Sequence, residues 1–205
     1  MKSIKLLRNI IEFFKYNKGG SLKNMILEYG DYRKYDKKLR QLDNWVNFKE
    51  YCRYYWLINY KNKVIVDYGA DIGSSAIYFL SKGATKVFCY EIGKNAIKKY
   101  NEIVKYMPEF KNLDLINKVK YNIKNAKGEI LKMDIEGSEE RLLSKSYLDN
   151  FQEFIIALHP QDIKARSYKH LSNLLKSNGG FVYGEIFNKK GLAEEIWIKK
   201  QFGIK

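Results

Sequence analysis

The 205-residue chain predicts an α/β fold: a mostly parallel sheet that ends in an antiparallel hairpin, preceded by a helical extension. Three observations carry this. From residue 63 onward, short runs rich in β-branched residues alternate with stretches of helical spacing, as strands joined by crossover helices do. The first run, Val64-Ile65-Val66-Asp67-Tyr68, passes through Gly69 and Gly73 into an apolar helical start, Ala76-Ile77-Tyr78-Phe79-Leu80. The last two runs, 181–187 and 194–199, are separated by Asn188-Lys189-Lys190-Gly191, a hairpin turn.

Two domains are expected, 1–62 and 63–205. The first is helical, basic and rich in aromatic residues. Ile4, Leu7, Ile11 and Phe14 recur at helical spacing over 3–17, and Lys18-Gly19-Gly20 ends that helix. Ser21 suits an N-cap for a short helix through Tyr29, with Gly30 as its stop. Trp45, Phe48, Cys52 and Tyr55 predict a third helix over 42–60.

In the second domain, strands are expected at 63–68, 86–90, 118–123, 129–134, 153–158, 181–187 and 194–199. Helices are expected over 74–82, 93–106 and 167–176. A further helix should begin at Ser138, with Ser138 as N-cap and Glu139 and Glu140 in its first turn.

Composition narrows the setting. No run approaches the roughly 20 apolar residues of a membrane-spanning helix. Lys5, Arg8 and Glu12 interrupt any apolar leader. Cys52 and Cys89 form no CxxC pair and no zinc pattern, so a reducing cytoplasm is the expected location. The net charge is +15, and residues 1–63 hold 15 Lys and Arg against 6 Asp and Glu. Such a balance attracts polyanions. Yet 32 of the 38 basic residues are Lys, and specific phosphate and base contacts favour Arg. Nucleic acid is therefore the secondary reading for a partner.

The glycine turn after the first strand is where backbone N–H groups and a helix start meet an anionic or nucleotide ligand. The second strand ends in Glu91, 18 residues after Gly73. An acid at that tip is placed to grip a ribose.

Val66-Asp67-Tyr68-Gly69-Ala70-Asp71-Ile72-Gly73 resembles the D-x-G-A-N-x-G first motif of methyltransferases that use S-adenosylmethionine, with Asp71 where Asn is usual. Leu131-Lys132-Met133-Asp134-Ile135-Glu136-Gly137-Ser138-Glu139 resembles the L-K-x-D-x-E-G-x-E signature of the FkbM family of O-methyltransferases. Ile155-Ile156-Ala157-Leu158-His159-Pro160 is similar to that family's apolar strand ending in His-Pro. The resemblance spans residues 64–205. There are departures. The family commonly has Pro after the strand-2 acid, where this chain has Ile92-Gly93. Only 43 residues separate Glu91 from Asp134, which shortens the segment that usually recognises adenine.

The resemblance implies a Rossmann-like, seven-stranded methyltransferase sheet that binds S-adenosylmethionine. It implies transfer of a methyl group to a hydroxyl of a small molecule or glycan. The alternatives are an RNA methyltransferase that uses the basic N-terminal region, and a non-catalytic binding module of the same fold. Cofactor contacts are expected from Asp67, Gly69, Ala70, Asp71, Gly73, Ser74, Ser75, Glu91, Asn125 and Asp134. Asp67 would attract the cofactor's ammonium group, Ser74 and Ser75 would donate to its carboxylate, Glu91 would take the ribose hydroxyls, and Asn125 would meet the adenine.

Removing the acceptor's proton needs a base. Asp134 and His159, then Glu136, are the expected catalytic residues. Each has a second reading: Asp134 capping its turn or holding the cofactor's amine, Glu136 pairing with a lysine, His159 satisfying backbone groups at a strand end. The three could also ligate a cation, but nothing in their spacing demands one, and no metal is expected.

Overall fold

A computed structural model describes residues 54–106, 113–116, 126–189 and 191–200. The helices expected over 3–17 and 21–29, the strand at 118–123, and Asn125 lie outside these residues.

The chain divides into two compact units, Met1–Asn59 and Tyr60–Lys205. Among the described residues of the first, Tyr55–Leu57 form one 3-10 turn. Tyr54 before it has φ −146° and Ile58 after it is extended, so the helix expected to reach Tyr60 does not do so. Around Leu57 the run Tyr54-Tyr55-Trp56 and Ile58 consists of aromatic and β-branched residues of only moderate helix propensity.

The second unit runs β1 (Val64–Tyr68), α1 (Ser74–Ser81), β2 (Lys86–Tyr90), α2 (Lys94–Tyr106), β3 (Leu113–Ile116), β4 (Ile130–Met133), α3 (Lys145–Leu148), β5 (Glu153–Leu158), α4 (Ala165–Ser177), β6 (Phe181–Asn188) and β7 (Gly191–Lys199). The mixed α/β sheet expected from the sequence is present, with strand order β3-β2-β1-β4-β5-β7-β6. β3 to β5 pair in parallel, and β7 pairs antiparallel with both β5 and β6. The chain leaves β1 towards β2 and β3, then returns to the other side of β1 as β4. That reversal opens a crevice at the carboxyl ends of β1 and β4, where ligands of such sheets bind.

A strand that the sequence reading did not expect lies at Leu113–Ile116, paired with β2 from Val87↔Leu113 to Tyr90↔Ile116. One expectation is corrected here: no long helix follows Gly137. Ser138 makes no side-chain cap, and Glu139–Arg141 form a single 3-10 turn. The reason is Glu139, whose side chain is fully buried instead of lying along a solvated first turn. Ser144 is the cap that does form, accepting the Tyr147 N–H at the start of α3.

The core follows from strand alternation. Val66, Leu131, Met133, Phe154 and Ile156 pack with Tyr147 and Leu148 of α3 and with Leu171 and Leu175 of α4. Burying each such aliphatic or aromatic side chain contributes about 1.5–3 kcal/mol. Ile65, Asp67, Ile130 and Lys132 alternate onto the opposite face, and all four are buried too. The parallel register pairs Ile65 with Ile130 and Asp67 with Lys132. No helix among the described residues is long and apolar enough to cross a membrane. Cys89 is buried and forms no disulfide among the described residues.

Candidate functional site

The glycine turn is locked to its neighbours by backbone bonds. The N–H groups of Gly69 and Ala70 both donate to the Tyr90 carbonyl, at 3.0 and 3.3 Å. Gly69 has φ +73°, and a Cβ there would lie 1.7 Å from the Asp134 carbonyl oxygen, so only glycine fits between β1 and the end of β4. Asp71 is left-handed, with φ +47°. Asn and Asp enter that region more readily than other side chains, which accounts for Asp71 standing where the motif usually has Asn.

Glu91 completes the turn. Its Oε2 accepts the Asp71 N–H at 2.8 Å. Its Oε1 accepts the N–H groups of Ile92 at 2.8 Å and Gly93 at 2.6 Å. The half-buried carboxylate therefore sits where β1, β2 and the turn meet. Beside it α1 starts at Ser74, capped by Gly73, and its first N–H groups have no intrahelical partner.

Beneath the turn lies a buried ion pair. Asp67 Oδ1 is 3.0 Å from Lys132 Nζ, and both side chains are almost wholly buried. Asp67 Oδ2 accepts from the Ser75 hydroxyl at 2.6 Å. Lys132 also donates to the carbonyls of Gly69, at 2.6 Å, and Tyr68, at 3.3 Å. The structure thus gives Asp67 and the Ser75 hydroxyl internal partners. Asp67 has no exposed surface from which to reach a ligand's ammonium group directly. Its carboxylate holds Lys132, and Lys132 holds the turn.

A second cluster spans the tips of β4 and β5. Asp134 follows β4, with its N–H on the Tyr68 carbonyl at 3.0 Å. Glu136 has φ +52° and Gly137 φ +88°. A Cβ on Gly137 would press on Asp162, 2.5 Å away, in the loop after β5. This tight left-handed turn carries Glu136 back over the sheet edge. His159, at the end of β5, has Nε2 3.6 Å from both Asp134 Oδ1 and Glu136 Oε2. Its Nδ1 lies 3.1 Å from Glu139 Oε1. Glu139 Oε1 also accepts the Ile135 N–H at 3.3 Å. Asp134 Oδ1 is buried and has no hydrogen-bond donor.

Burial alone would pull the imidazole's pKa down. The Glu139 hydrogen bond and the charges of Asp134, Glu139 and Glu136 outweigh it and push His159 up to about 9. These neighbours favour the cationic form of the imidazole. The effect on stability follows. The folded value lies above the ordinary 6.5, so the pairing stabilises the fold fully below about pH 6.5 and is lost as pH rises through about 9. A difference of that size corresponds to about 3 kcal/mol. In chelator-containing buffer, the denaturant midpoint should fall between pH 6.5 and 9.5, and His159→Gln should flatten that fall. An equal fall in both proteins would assign it to other groups.

No family model matches the chain. It is 31% identical over 120 residues to "Uncharacterized protein 65" of Sulfolobus islandicus filamentous virus, covering 58% of this chain and 72% of that one. It is 36% identical over 124 residues to "Uncharacterized protein 158B" of Sulfolobus islandicus rod-shaped virus 1, covering 55% and 70%. The chain belongs to the family of these two proteins. Beyond that family, its fold is similar to that of an rRNA methylase from Streptococcus thermophilus, with TM-score 0.52 and 13% identity over 69% of this chain and 89% of the other. It is also similar to precorrin-6y C5,15-methyltransferase from Geobacter metallireducens GS-15, with TM-score 0.51 and 11% identity over 69% and 81%. The chain has the fold of these methyltransferases. The two named enzymes act on different kinds of substrate, so the fold does not choose the acceptor.

The structure brings the expected residues together as two sets. Gly69, Ala70, Asp71, Gly73, Ser74 and Glu91 form the turn. Asp134, Glu136 and His159 form the cluster at the β4 and β5 tips. Two further residues matter that sequence reasoning left without a role. Lys132 was signalled by being the one charge inside the apolar run Ile130-Leu131-Lys132-Met133. Glu139 was signalled only as the last residue of the nine-residue signature, since an acid in a helix's first turn needs no other explanation. The tyrosines beside the crevice are poor proton acceptors. Tyr68 and Tyr90 stack at 4.4 Å and Tyr147 donates to Tyr68, and burial raises the pKa of all three hydroxyls.

Proposed function

We propose that the chain is an S-adenosylmethionine-dependent O-methyltransferase of the FkbM type, acting on a hydroxyl of a small molecule or glycan. Residues 63–205 would form its cofactor-binding domain and 1–62 a basic extension, in a reducing cytoplasm. The observation that carries this reading is the Glu91 carboxylate tied to the Asp71 N–H at adjacent strand ends. Glu91 Oε2 accepts a single N–H and keeps lone pairs for ribose hydroxyls. The unpaired N–H groups at the start of α1 suit a carboxylate. These donors and acceptors fit the cofactor, and Asn125 is the proposed adenine contact. When bound, S-adenosylmethionine supplies a methyl group on a sulfonium leaving group.

The chain's own task is to orient the acceptor, exclude water and take a proton. Asp134 is placed for the last, with a buried oxygen that no donor satisfies. That Asp134, Glu136 and Glu139 of the nine-residue signature converge on the histidine of His-Pro supports the FkbM assignment.

The net charge of +15 favours one second reading, methyl transfer to RNA. Labelled S-adenosylmethionine offered with hydroxylated small molecules, glycans and RNA separates the two. The expected result is label on a small molecule or glycan, reduced about 10²- to 10⁴-fold by Asp134→Asn. Label on RNA alone would establish the second reading. Cofactor binding with no transfer to any acceptor would point to a binding module.

A further inference from the structure

We propose that Asp134, Glu136 and His159 form a divalent-cation site, with Glu139 as the outer carboxylate that orients the histidine. The inference rests on these donors alone and does not depend on methyl transfer.

The three residues come from the end of β4, the turn after it and the end of β5, adjacent parallel strands whose register pairs Met133 with Ile156. One donor atom from each lies within 4.8 Å of the others. His159 decides the reading. Its side chain is nine-tenths buried, and its Nε2 points between two carboxylates at 3.6 Å each without a hydrogen bond to either. That separation is longer than the ~3.2 Å limit of a good N–H···O bond. It is close to the ~3 Å between neighbouring ligands of one ion bound at ~2.1 Å. A small closure would bring both oxygens onto a shared ion, and Glu136, 81% exposed, is free to make it.

Glu139 supplies the independent sign. It is fully buried and contacts His159 at Nδ1, 3.1 Å away. A carboxylate on Nδ1 fixes the ring's orientation and presents Nε2 to the opposite side, as partners of metal-bound histidines do. Glu139 also takes the Ile135 N–H, so its own position is set by the turn. The enclave then holds three carboxylates around one imidazole, and one of their oxygens, the buried Oδ1 of half-buried Asp134, has no donor. Two carboxylate oxygens suit Mn²⁺, and the single imidazole nitrogen completes a donor set that a first-row divalent cation accepts.

The test uses the full chain, stripped with chelator, without cofactor. Mn²⁺ is titrated by calorimetry and its coordination read by electron paramagnetic resonance. One ion per chain is expected. Glu136→Gln and His159→Gln should each weaken binding at least tenfold. Glu139→Gln should weaken it roughly 10- to 100-fold as a positioning residue, while the spectrum still shows nitrogen coordination. Because the Glu136 side chain is exposed, Glu136→Gln should melt as wild type does and keeps the test open if His159→Gln does not fold. No uptake of Mn²⁺ by the wild type would overturn the proposal, and so would equal uptake by wild type and Glu136→Gln. Either result would leave the cluster as an ion-paired tie between strand tips.

Discussion

Glu91→Ala is expected to weaken binding of S-adenosylhomocysteine, the methyl donor's product, by about a hundredfold. The carboxylate would accept ribose hydroxyls from a position already held by three backbone N–H groups. Hydrogen bonds to a charged acceptor contribute about 1.5–3 kcal/mol each, and each 1.4 kcal/mol is tenfold in affinity. The fold should survive, because Asp71 and Ile92 lie at the surface and water can take over their freed N–H groups. Glu91→Gln should fall between the two, since one amide oxygen remains to accept. Calorimetry on the three proteins measures this. Equal affinities would show that the strand-2 acid holds the turn and nothing else, and the cofactor assignment would lose its main support.

Lys132→Met should be the most destabilising single change at the site. It removes the partner of Asp67, which has no exposed surface. Breaking a buried pair from one side costs about 3–5 kcal/mol, because the remaining charge is left uncompensated. For a chain of this length each kcal/mol moves the melting temperature by about 2–4 °C, so a drop of roughly 10 °C is expected. It should come with weaker ligand binding, because the carbonyls of Tyr68 and Gly69 lose their donor. Adding Asp67→Asn should recover much of the loss by removing the stranded charge. If Lys132→Met melts within 2 °C of wild type, by the same conversion, the pair is not the staple inferred from its geometry.

These two residues show what could be read from the chain and what could not. Glu91 was legible because its role is local to one βαβ unit: a strand, a glycine turn, a helix and a second strand ending in an acid. The same holds for the alternation of elements and the terminal hairpin. Lys132 was visible as an odd charge in an apolar strand and as the second residue of the nine-residue signature, but without a partner. Its partner depends on β1 lying beside β4 in one register, and no local pattern encodes that. The residues around His159 could be named from the sequence, but not that three carboxylates of the segment 134–139 surround its imidazole. The strand Leu113–Ile116 beside β2 has only four residues and was too short to stand out. Asp71 had no explanation until its backbone was seen to be left-handed.

The staple beneath the glycine turn has a kinetic consequence. A loop that must fold around its ligand charges the ordering entropy to the binding step and slows association. Here Lys132 pins the turn from below and Glu91 ties it to β2, so its shape is set before any ligand arrives. Capture should then follow diffusion into an open crevice, and differences among ligands should appear in how long each stays rather than in how fast it enters.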